Sequence, residues 1–300
     1  MNEQLTKSQI KAQIINAAVQ EYINAPKFKK SIAKISNKYG INKKTLAKYL
    51  KEQNVEIISV RCAKQINEFV FNKIDSEEKA YWLGFLYADG YVSAKTNHVG
   101  VSVAIKDITH LEKFKNFLEW EGDIRISKDH QFGSKKTVNS KGEEMFRCSI
   151  TIGNKEIHDD LVKLGCVPNK SLILKFPNEE QVPKQFQKAF VRGYFDGDGT
   201  LGLYKHSTKN PRLEESLMIV GTKPMLEGIQ KILGRGYLIQ KKNCNQSVYR
   251  LGYSTLNAYN AATIMYSNAS IYLDRKYDIY INKYCPYRAK TVKAEMLIPC

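Results

Sequence analysis

The chain has 300 residues and a formal net charge of +17, with 47 Lys and Arg against 30 Asp and Glu. Such an excess favours a polyanionic partner, which nucleic acid or an anionic membrane would supply. No apolar run approaches the roughly 18 residues of a membrane span, and the opening "MNEQLTKSQIKAQ" lacks the apolar core of a signal peptide. We therefore expect no membrane partner and a cytoplasmic location, in a bacterial or phage context, with an organelle left open. The six cysteines form no CxxC pair and are expected to be reduced thiols.

The N-terminal segment, residues 1–75, is strongly basic, with 14 Lys and Arg against six Asp and Glu. Two short helical patterns within it are separated by Gly40, and Asn42 is a good N-cap for the second. That second helix would bury Leu46 and Leu50 and leave its basic residues outside. Two helices joined by a glycine-containing turn, the second one basic, predict a small helical module of the helix-turn-helix type, followed by a linker. Its expected DNA contacts are Lys43, Lys44 and Lys48. An ordinary helical hairpin with solvated lysines is the alternative.

From about residue 77 the chain twice shows the order helix, strand, strand, helix, strand, strand, helix. This duplication predicts an α+β fold of two pseudo-symmetric αββαββα units, residues 76–180 and 181–300, beside the small helical module. Along the predicted strands apolar residues alternate with polar or basic ones, as in "RCSITI" at 147–152, "YVSAK" at 91–95, "VSVAIK" at 101–106 and "IRIS" at 124–127. In the last of these, Ile124 and Ile126 are expected on the buried face. One face of each sheet should therefore be covered by helices, while the other is polar and basic and wide enough for duplex DNA. A solvated sheet face is the alternative. The expected DNA contacts here are Ser93, Lys95, Lys106, Arg125, Arg147, Tyr204, His206 and Arg250.

The opening helices of the two units align with each other, "YWLGFLYADG" with "FVRGYFDGDG". Gly84 matches Gly193, and Asp89 matches Asp198. A glycine on an apolar helix face lets a second helix approach closely. Two helices packed through these glycines would therefore bring both aspartates together at their C-terminal ends.

A carboxylate at a helix C-terminus is disfavoured by roughly 0.3–1 kcal/mol, and two such carboxylates also repel each other. A divalent cation removes both penalties, since Mg²⁺ binds one or two carboxylates and completes its shell with water and phosphate oxygens. The free backbone carbonyls of Ala88 and Gly197 are expected to help hold the metal. One Asp-Gly pair alone would indicate a turn or a helix C-cap. Two matched copies at equivalent positions of a duplicated unit favour a site instead.

These two stretches resemble the paired motifs of the single-chain LAGLIDADG homing endonucleases, as "WLGFLYADG" (82–90) and "VRGYFDGDG" (191–199). The resemblance covers about residues 77–285. It implies a saddle of strands over the major groove of double-stranded DNA. It also implies a monomer that cuts both strands of a long site with Mg²⁺ or Mn²⁺ and leaves short 3′ overhangs. Asp89 and Asp198 would be the catalytic, metal-binding acids, whereas Asp196 falls at a motif position that does not bind metal.

Members of this family also carry a basic residue near each scissile phosphate, late in each unit. Lys170 follows Asp89 by 81 residues, and Lys276 follows Asp198 by 78 residues. Their similar offsets suit equivalent catalytic roles, either polarising water or stabilising charge on the phosphorane. A solvated lysine or a simple phosphate contact is the alternative for each, and Arg275 is an alternative to Lys276.

Two other functions fit the same scaffold. An intron RNA maturase would add intron RNA as a partner, and the sequence leaves a dual role open. A non-cleaving DNA-binding regulator would keep this fold beside a helix-turn-helix without the acids, but Asp89 and Asp198 are both present. An intein is not expected, because the C-terminal "MLIPC" lacks the His–Asn pair.

Overall fold

The computed structural model describes residues 6–25, 30–57, 65–131, 135–136, 138, 142–205, 213–241 and 248–296. The chain divides into two compact units. The first comprises Met1–Asn67 and Lys115–Asp123, and the second comprises Glu68–Phe114 and Ile124–Cys300. The boundaries expected from the sequence, near residues 75 and 180, stay predictions.

The first unit contains three helices: α1 (Lys7–Asn24), α2 (Ile32–Lys38) and α3 (Lys43–Glu52). Their apolar faces form a core of Ile15, Ala18, Val19, Tyr22, Ile35, Leu46 and Leu50. Gly40 takes a positive φ of 62° in the turn before α3, a conformation that glycine adopts without strain. The Asn42 side chain caps α3 by accepting from the Lys44 amide, as its sequence position predicts.

The outer face of α3 is basic. Lys43, Lys44 and Lys48 are all exposed, and Lys48 lies 3.8 Å from Glu52 in a solvent-screened ion pair. Two helices joined by a short turn, the second basic, are therefore present. Their binding to DNA as a helix-turn-helix stays a prediction.

The second unit shows the predicted αββαββα order twice. The first copy consists of α4 (Glu77–Ala88), β1 (Gly90–Val92), β2 (His98–Ala104), α5 (Ile108–Phe117), β3 (Arg125–Lys128), the short hairpin β4 (His130–Gln131) and β5 (Lys135–Lys136), β6 (Phe146–Gly153) and α6 (Lys155–Lys163). The second copy consists of α7 (Gln187–Asp198), β7 (Gly199–Lys205), β8 (Leu213–Gly221), α8 (Lys223–Leu233), β9 (Tyr237–Gln240), β10 (Tyr249–Ser254) and α9 (Thr255–Tyr266). It is followed by α10 (Asp274–Ile279), a π-helical turn (Tyr280–Tyr284) and α11 (Cys285–Met296). The α+β fold class with a duplicated unit is confirmed.

Each copy forms one antiparallel four-stranded sheet, in the orders β1-β2-β6-β3 and β7-β8-β10-β9. The two orders are equivalent strand for strand, as expected of a duplication. In β6 the predicted alternation holds, because Cys148, Ile150 and Ile152 are buried while the residues between them face outward. Each sheet begins directly after its motif helix, at Gly90 and at Gly199. The outward face of each sheet therefore starts beside one of the two matched aspartates.

Three strand assignments from the sequence were wrong in detail. β1 ends at Val92, so Ser93 and Lys95 lie in the following loop, where the Ser93 hydroxyl accepts from the Lys95 amide. β2 ends at Ala104, and Lys106 lies in a 3-10 turn because the chain turns there into α5. Ile126, expected on the buried face, is 56% exposed because β3 is a short edge strand.

Within the described residues, no helix combines the length and the apolar character that crossing a bilayer requires.

Candidate active site at the helix pair

Helices α4 and α7 pack with their backbones in contact at the two predicted glycines. A Cβ on Gly84 would lie 2.0 Å from the Phe190 carbonyl oxygen, and one on Gly193 would lie 1.9 Å from that of Tyr81. Neither position leaves room for a side chain. The close approach expected from the matched motifs is confirmed.

The same packing brings the two helix ends together. Asp89 is the C-terminal cap of α4, and Asp198 is the last residue of α7. At the end of α7, a Cβ on Gly197 would lie 2.3 Å from the Ala88 side chain and 3.3 Å from Oδ2 of Asp89. Only glycine at this position lets the ends meet so closely. The structure thus places the two carboxylates side by side, and their metal-binding role stays a prediction.

The two carboxylates hold their protons more tightly than ordinary ones. Both side chains reach solvent on one side, while protein atoms crowd them on the others. This partial burial, together with the like charge of Asp89, raises the pKa of Asp198 to about 6. Burial also raises the pKa of Asp89, and the positive charges of Lys276 and Lys170 oppose that shift. The two acidic groups are therefore crowded together at a place that is open to solvent.

The two predicted lysines are buried beside this pair and hold the ends of the helices. Lys276 Nζ donates to the carbonyl oxygens of Phe195 at 2.6 Å, Asp196 at 2.8 Å and Gly199 at 2.6 Å. Burial lowers the pKa of Lys276 to about 8. An amine at a helix C-terminus stabilises the partial negative charge of the last carbonyls. Lys276 thus has a structural role in α7 alongside any catalytic one.

Lys170 occupies the matching place at the end of α4. Its Nζ donates to the Ala88 carbonyl oxygen at 3.3 Å. The similar offsets of the two lysines in the sequence therefore correspond to matched positions in the structure. The Ala88 carbonyl oxygen thus already accepts one hydrogen bond, and because a carbonyl oxygen has two lone pairs its role as a metal ligand stays a prediction. Gly197 lies between the carbonyls that Lys276 binds, and its role as a ligand stays a prediction.

Asp196 is buried in a hydrogen-bond network. Its carboxylate accepts from the Tyr81 hydroxyl at 2.7 Å, the Tyr266 hydroxyl at 2.5 Å and the Leu273 amide at 2.8 Å. Burial raises the pKa of this carboxyl, and these hydrogen bonds oppose the shift. A buried charge needs such partners. Asp196 therefore joins α4, α7, α9 and the segment that leads to Lys276.

His110 extends this network into α5. Its Nε2 lies 3.0 Å from the Tyr81 hydroxyl, and burial lowers the pKa of His110 to about 3, so the ring is neutral. Since Tyr81 gives its proton to Asp196, the imidazole must carry its proton on Nε2 and donate to Tyr81. Sequence reasoning found no part for Tyr81, Tyr266 or His110.

A cleft of about 260 Å³ opens beside Asp89. Its charged lining comprises Asp89, Lys106, Asp107, Asp129, Arg147, Asp196 and Arg275. Nε of Arg275 lies 2.9 and 3.1 Å from the two carboxylate oxygens of Asp107. One N–H is thus shared between the two oxygens and holds Arg275 against Asp107 in the cleft lining, and the choice between Lys276 and Arg275 as the basic residue of this half stays a prediction.

Four of the predicted DNA contacts lie on the outward sheet faces. Arg125 and Arg147 are exposed on the first sheet, and Arg147 donates to the Ser102 side chain and carbonyl. Tyr204 and Arg250 are exposed on the second sheet. Lys95 is exposed in the loop after β1. His206 lies outside the described residues.

The donor set limits what kind of metal the site could hold. In the parts of the chain that the structure describes, no three His, Cys, Asp or Glu side chains cluster closely enough to hold an ion. Asp89 and Asp198 therefore offer two carboxylates and no more. That suits Mg²⁺ or Mn²⁺ sharing its shell with water and phosphate, and does not suit a closed structural zinc or calcium site.

No family model matches the chain. A curated relative, the replication factor C small subunit of Methanocaldococcus jannaschii, is 28% identical over 207 residues, which cover 65% of this chain and 10% of that protein. The chain thus spans about a tenth of the length of the curated relative that it matches.

Three of the solved structures that are similar to this chain are DNA-bound LAGLIDADG proteins. The I-LtrWI LAGLIDADG homing endonuclease bound to target DNA is 13% identical, with 72% of this chain and 92% of that chain covered and a TM-score of 0.41. The LAGLIDADG meganuclease I-AabMI bound to uncleaved DNA is 12% identical, with 70% and 91% covered and a TM-score of 0.45. The LAGLIDADG homing endonuclease I-GzeII in complex with its DNA target is 12% identical, with 78% and 94% covered and a TM-score of 0.40. This is the family that the two motifs resemble.

Proposed function

We propose that this chain is a metal-dependent DNA endonuclease that cuts both strands of one long duplex site. One observation carries the proposal: Asp89 and Asp198 meet at the ends of two tightly packed helices, each beside a buried lysine. Such a pairing of exposed acids is unfavourable for stability alone, because like charges repel and helix C-termini disfavour carboxylates. A role in catalysis explains why both units keep it.

The duplication matches the two strands of DNA. Each unit supplies one acid, one lysine and one sheet whose outward face starts beside that acid. Duplex DNA has two backbones related by local two-fold symmetry, so one set of groups is available for each strand. The net charge of +17 favours the phosphate backbone as the partner.

The chain's own groups would position the reaction. When bound, Mg²⁺ or Mn²⁺ supplies an activated water at neutral pH and neutralises charge on the leaving oxygen. Asp89 and Asp198 are the residues that would hold the cation, through their carboxylates. Lys276, with its pKa near 8, is mostly charged at pH 7, and its charge offsets the repulsion of the two carboxylates.

The test is cleavage of duplexes selected from a pool with a long randomised stretch. The wild-type chain should cut them at a defined position with Mg²⁺ or Mn²⁺, and should be inert in EDTA. Asp89→Asn and Asp198→Asn should each abolish double-strand cutting while leaving binding largely intact. Asp159→Asn, at a half-buried acid of α6 paired with Lys155, is the matched control and should cut normally. Full cutting by either active-site variant would contradict the proposal. Specific binding without any cutting would favour a DNA-binding regulator instead.

A further inference from the structure

The two sheets are equivalent in topology, but their outward faces differ in chemistry. Gly90 pairs with Val101 in the first sheet, and Gly199 pairs with Ile219 in the second. These pairs fix which positions correspond. The next residue on β2 is Ser102, and its equivalent on β8 is Val220.

Each of these residues begins a row across three adjacent strands. The first row is Ser102, Ser149 and Arg125, and the second row is Val220, Arg250 and Ile239. Every member of the first row bears a hydroxyl or a guanidinium. The second row has one guanidinium between two branched apolar side chains.

The apolar members of the second row lie on the face that the helices leave uncovered. Ile239 is 54% exposed, Val220 is half-buried, and Arg250 is exposed. Tyr237, two residues before Ile239, is 45% exposed, and its ring lies against Gly252, where a Cβ would be 2.3 Å away. Single exposed apolar residues are common, but several of them together on one sheet face of so basic a chain indicate a surface that binds a partner.

The chemistry of the second row matches the edges of bases in the major groove. Arginine binds O6 and N7 of guanine with two hydrogen bonds, and apolar side chains contact the C5-methyl group of thymine. Neighbouring strands lie about 4.8 Å apart, so the outer residues of the row are roughly 10 Å apart, against about 7 Å between the outer two of three stacked base pairs, a difference that the side chains can span.

We propose that the second row reads a guanine flanked by thymines, with Arg250 on the guanine and with Ile239 and Val220 against thymine methyl groups. The first row reads its half of the site through hydrogen bonds alone. The target is therefore not a palindrome, and only one of its halves depends on methyl groups. This inference rests on the proposed function, since it takes the outward sheet faces as the DNA surface.

The test uses binding without metal, so that cutting plays no part. Duplexes are selected from a randomised pool by the full-length chain in EDTA, and the half-sites are assigned with Arg125→Ala and Arg250→Ala. Each of these variants should relax sequence preference in its own half.

Thymines are then replaced by deoxyuridine, which removes only the methyl group, in one half at a time. Replacing either of the thymines that flank the guanine read by Arg250 should weaken binding about fourfold, the effect of one methyl-sized apolar contact. Replacements in the other half should have no effect.

Ile239→Ala should lose this dependence on methyl groups at one position. Ile126→Ala is the matched control, because Ile126 has nearly the same exposure, 56%, on the equivalent strand β3 but pairs with the buried Cys148. It should keep the dependence of the wild-type chain. Sensitivity to deoxyuridine in both halves or in neither would overturn the inference, as would selection that yields no preferred sequence.

The two proposals fail separately. If the chain cuts the selected DNA but its binding does not change when thymine is replaced by deoxyuridine, the proposed nuclease function stands and this inference is overturned. A chain that is sensitive to deoxyuridine in the half read by Arg250 and cuts nothing supports this inference and contradicts the nuclease.

Discussion

The raised pKa of Asp198 implies that the free energy of unfolding depends on pH. Because the folded pKa, about 6, exceeds the ordinary value near 3.9, the folded chain holds this proton more tightly than the unfolded chain. The group's stabilising contribution is therefore present below about pH 4 and is lost as pH rises through 6. Asp198→Asn cannot ionise and should unfold with a higher free energy than the wild-type chain at pH 7.5. The gain should be below about 1 kcal/mol, because solvent screens an exposed pair. Urea unfolding at pH 4 and pH 7.5 measures it.

Added Mg²⁺ provides the matching measurement. A cation that binds the folded chain through both carboxylates stabilises it by mass action. Mg²⁺ should therefore raise the Tm of the wild-type chain at pH 7.5 more than that of Asp198→Asn. Equal shifts in Tm in the two proteins would contradict cation binding through Asp198. A variant that is less stable than the wild-type chain without metal would contradict repulsion between the two carboxylates.

Removing the carboxylate of Asp196 should have the opposite effect on stability, because hydrogen bonds satisfy this carboxylate in the folded chain. Asp196→Ala would leave the hydroxyls of Tyr81 and Tyr266 and the Leu273 amide buried without an acceptor. Each such loss costs about 1–3 kcal/mol. The variant should therefore lose at least about 3 kcal/mol in urea unfolding. Asp278→Ala, at an exposed acid on α10, is the control and should change stability by less than about 0.5 kcal/mol. Similar losses in the two variants would show that the Asp196 network stabilises nothing.

At the scale of elements, the contact between α4 and α7 depends on glycine. Gly84→Ala would place a methyl group 2.0 Å from a backbone oxygen of α7, so the helices must separate. Overpacking of this kind costs roughly 1–3 kcal/mol or more, and the wider gap should also separate Asp89 from Asp198. Both stability and cutting should therefore fall, as measured by urea unfolding and by the cleavage assay.

Gly153→Ala is the control for that substitution. Its added methyl would meet only the His98 ring at 3.2 Å, and a side chain can move where a backbone oxygen cannot. Equal tolerance of the two substitutions would mean that the helix pair can separate without cost.

The elements that sequence analysis located well are those whose pattern is local. Periodicity predicted the order of both units, because amphipathic helices and alternating strands each show their own period. The end of β2 was predicted too late, because Ile105 continues the apolar alternation. That alternation fits a strand and the 3-10 turn equally well at this position. The exposure of Ile126 was missed because alternation does not say which strand lies at the edge.

The same limit applies to the candidate site. Asp89 and Asp198 could be paired from the sequence because duplication repeats their motif. The partners of Asp196 could not, since Tyr81 and Tyr266 lie 115 and 70 residues away and only the folded chain brings them near. The capping contact of Lys170 with Ala88 had no local pattern either.

At the scale of the whole molecule, the basic α3 occurs once while the strand-bearing unit occurs twice. A pseudo-symmetric nuclease core would protect DNA about equally on both sides of the cut. An additional helix in a neighbouring groove would extend the protected region on one side only. The footprint of the full-length chain therefore tests whether α3 binds this DNA.

We expect the three exposed lysines of α3 to contribute to affinity and to a one-sided footprint. Replacing Lys43, Lys44 and Lys48 together by alanine should shorten the footprint on one side and raise the concentration needed for half-maximal cutting. If each lysine contacts a phosphate, the slope of log affinity against log salt should fall by about 0.9 per residue. Cutting at saturating protein should persist, because Asp89 and Asp198 are unchanged.

The control removes the same charge at Lys155, Lys163 and Lys223, which form ion pairs along their own helices. These neutralised lysines should affect affinity less. Footprints and salt slopes that are identical in the two triple variants would show that α3 does not touch this DNA and serves a structural or protein-binding role.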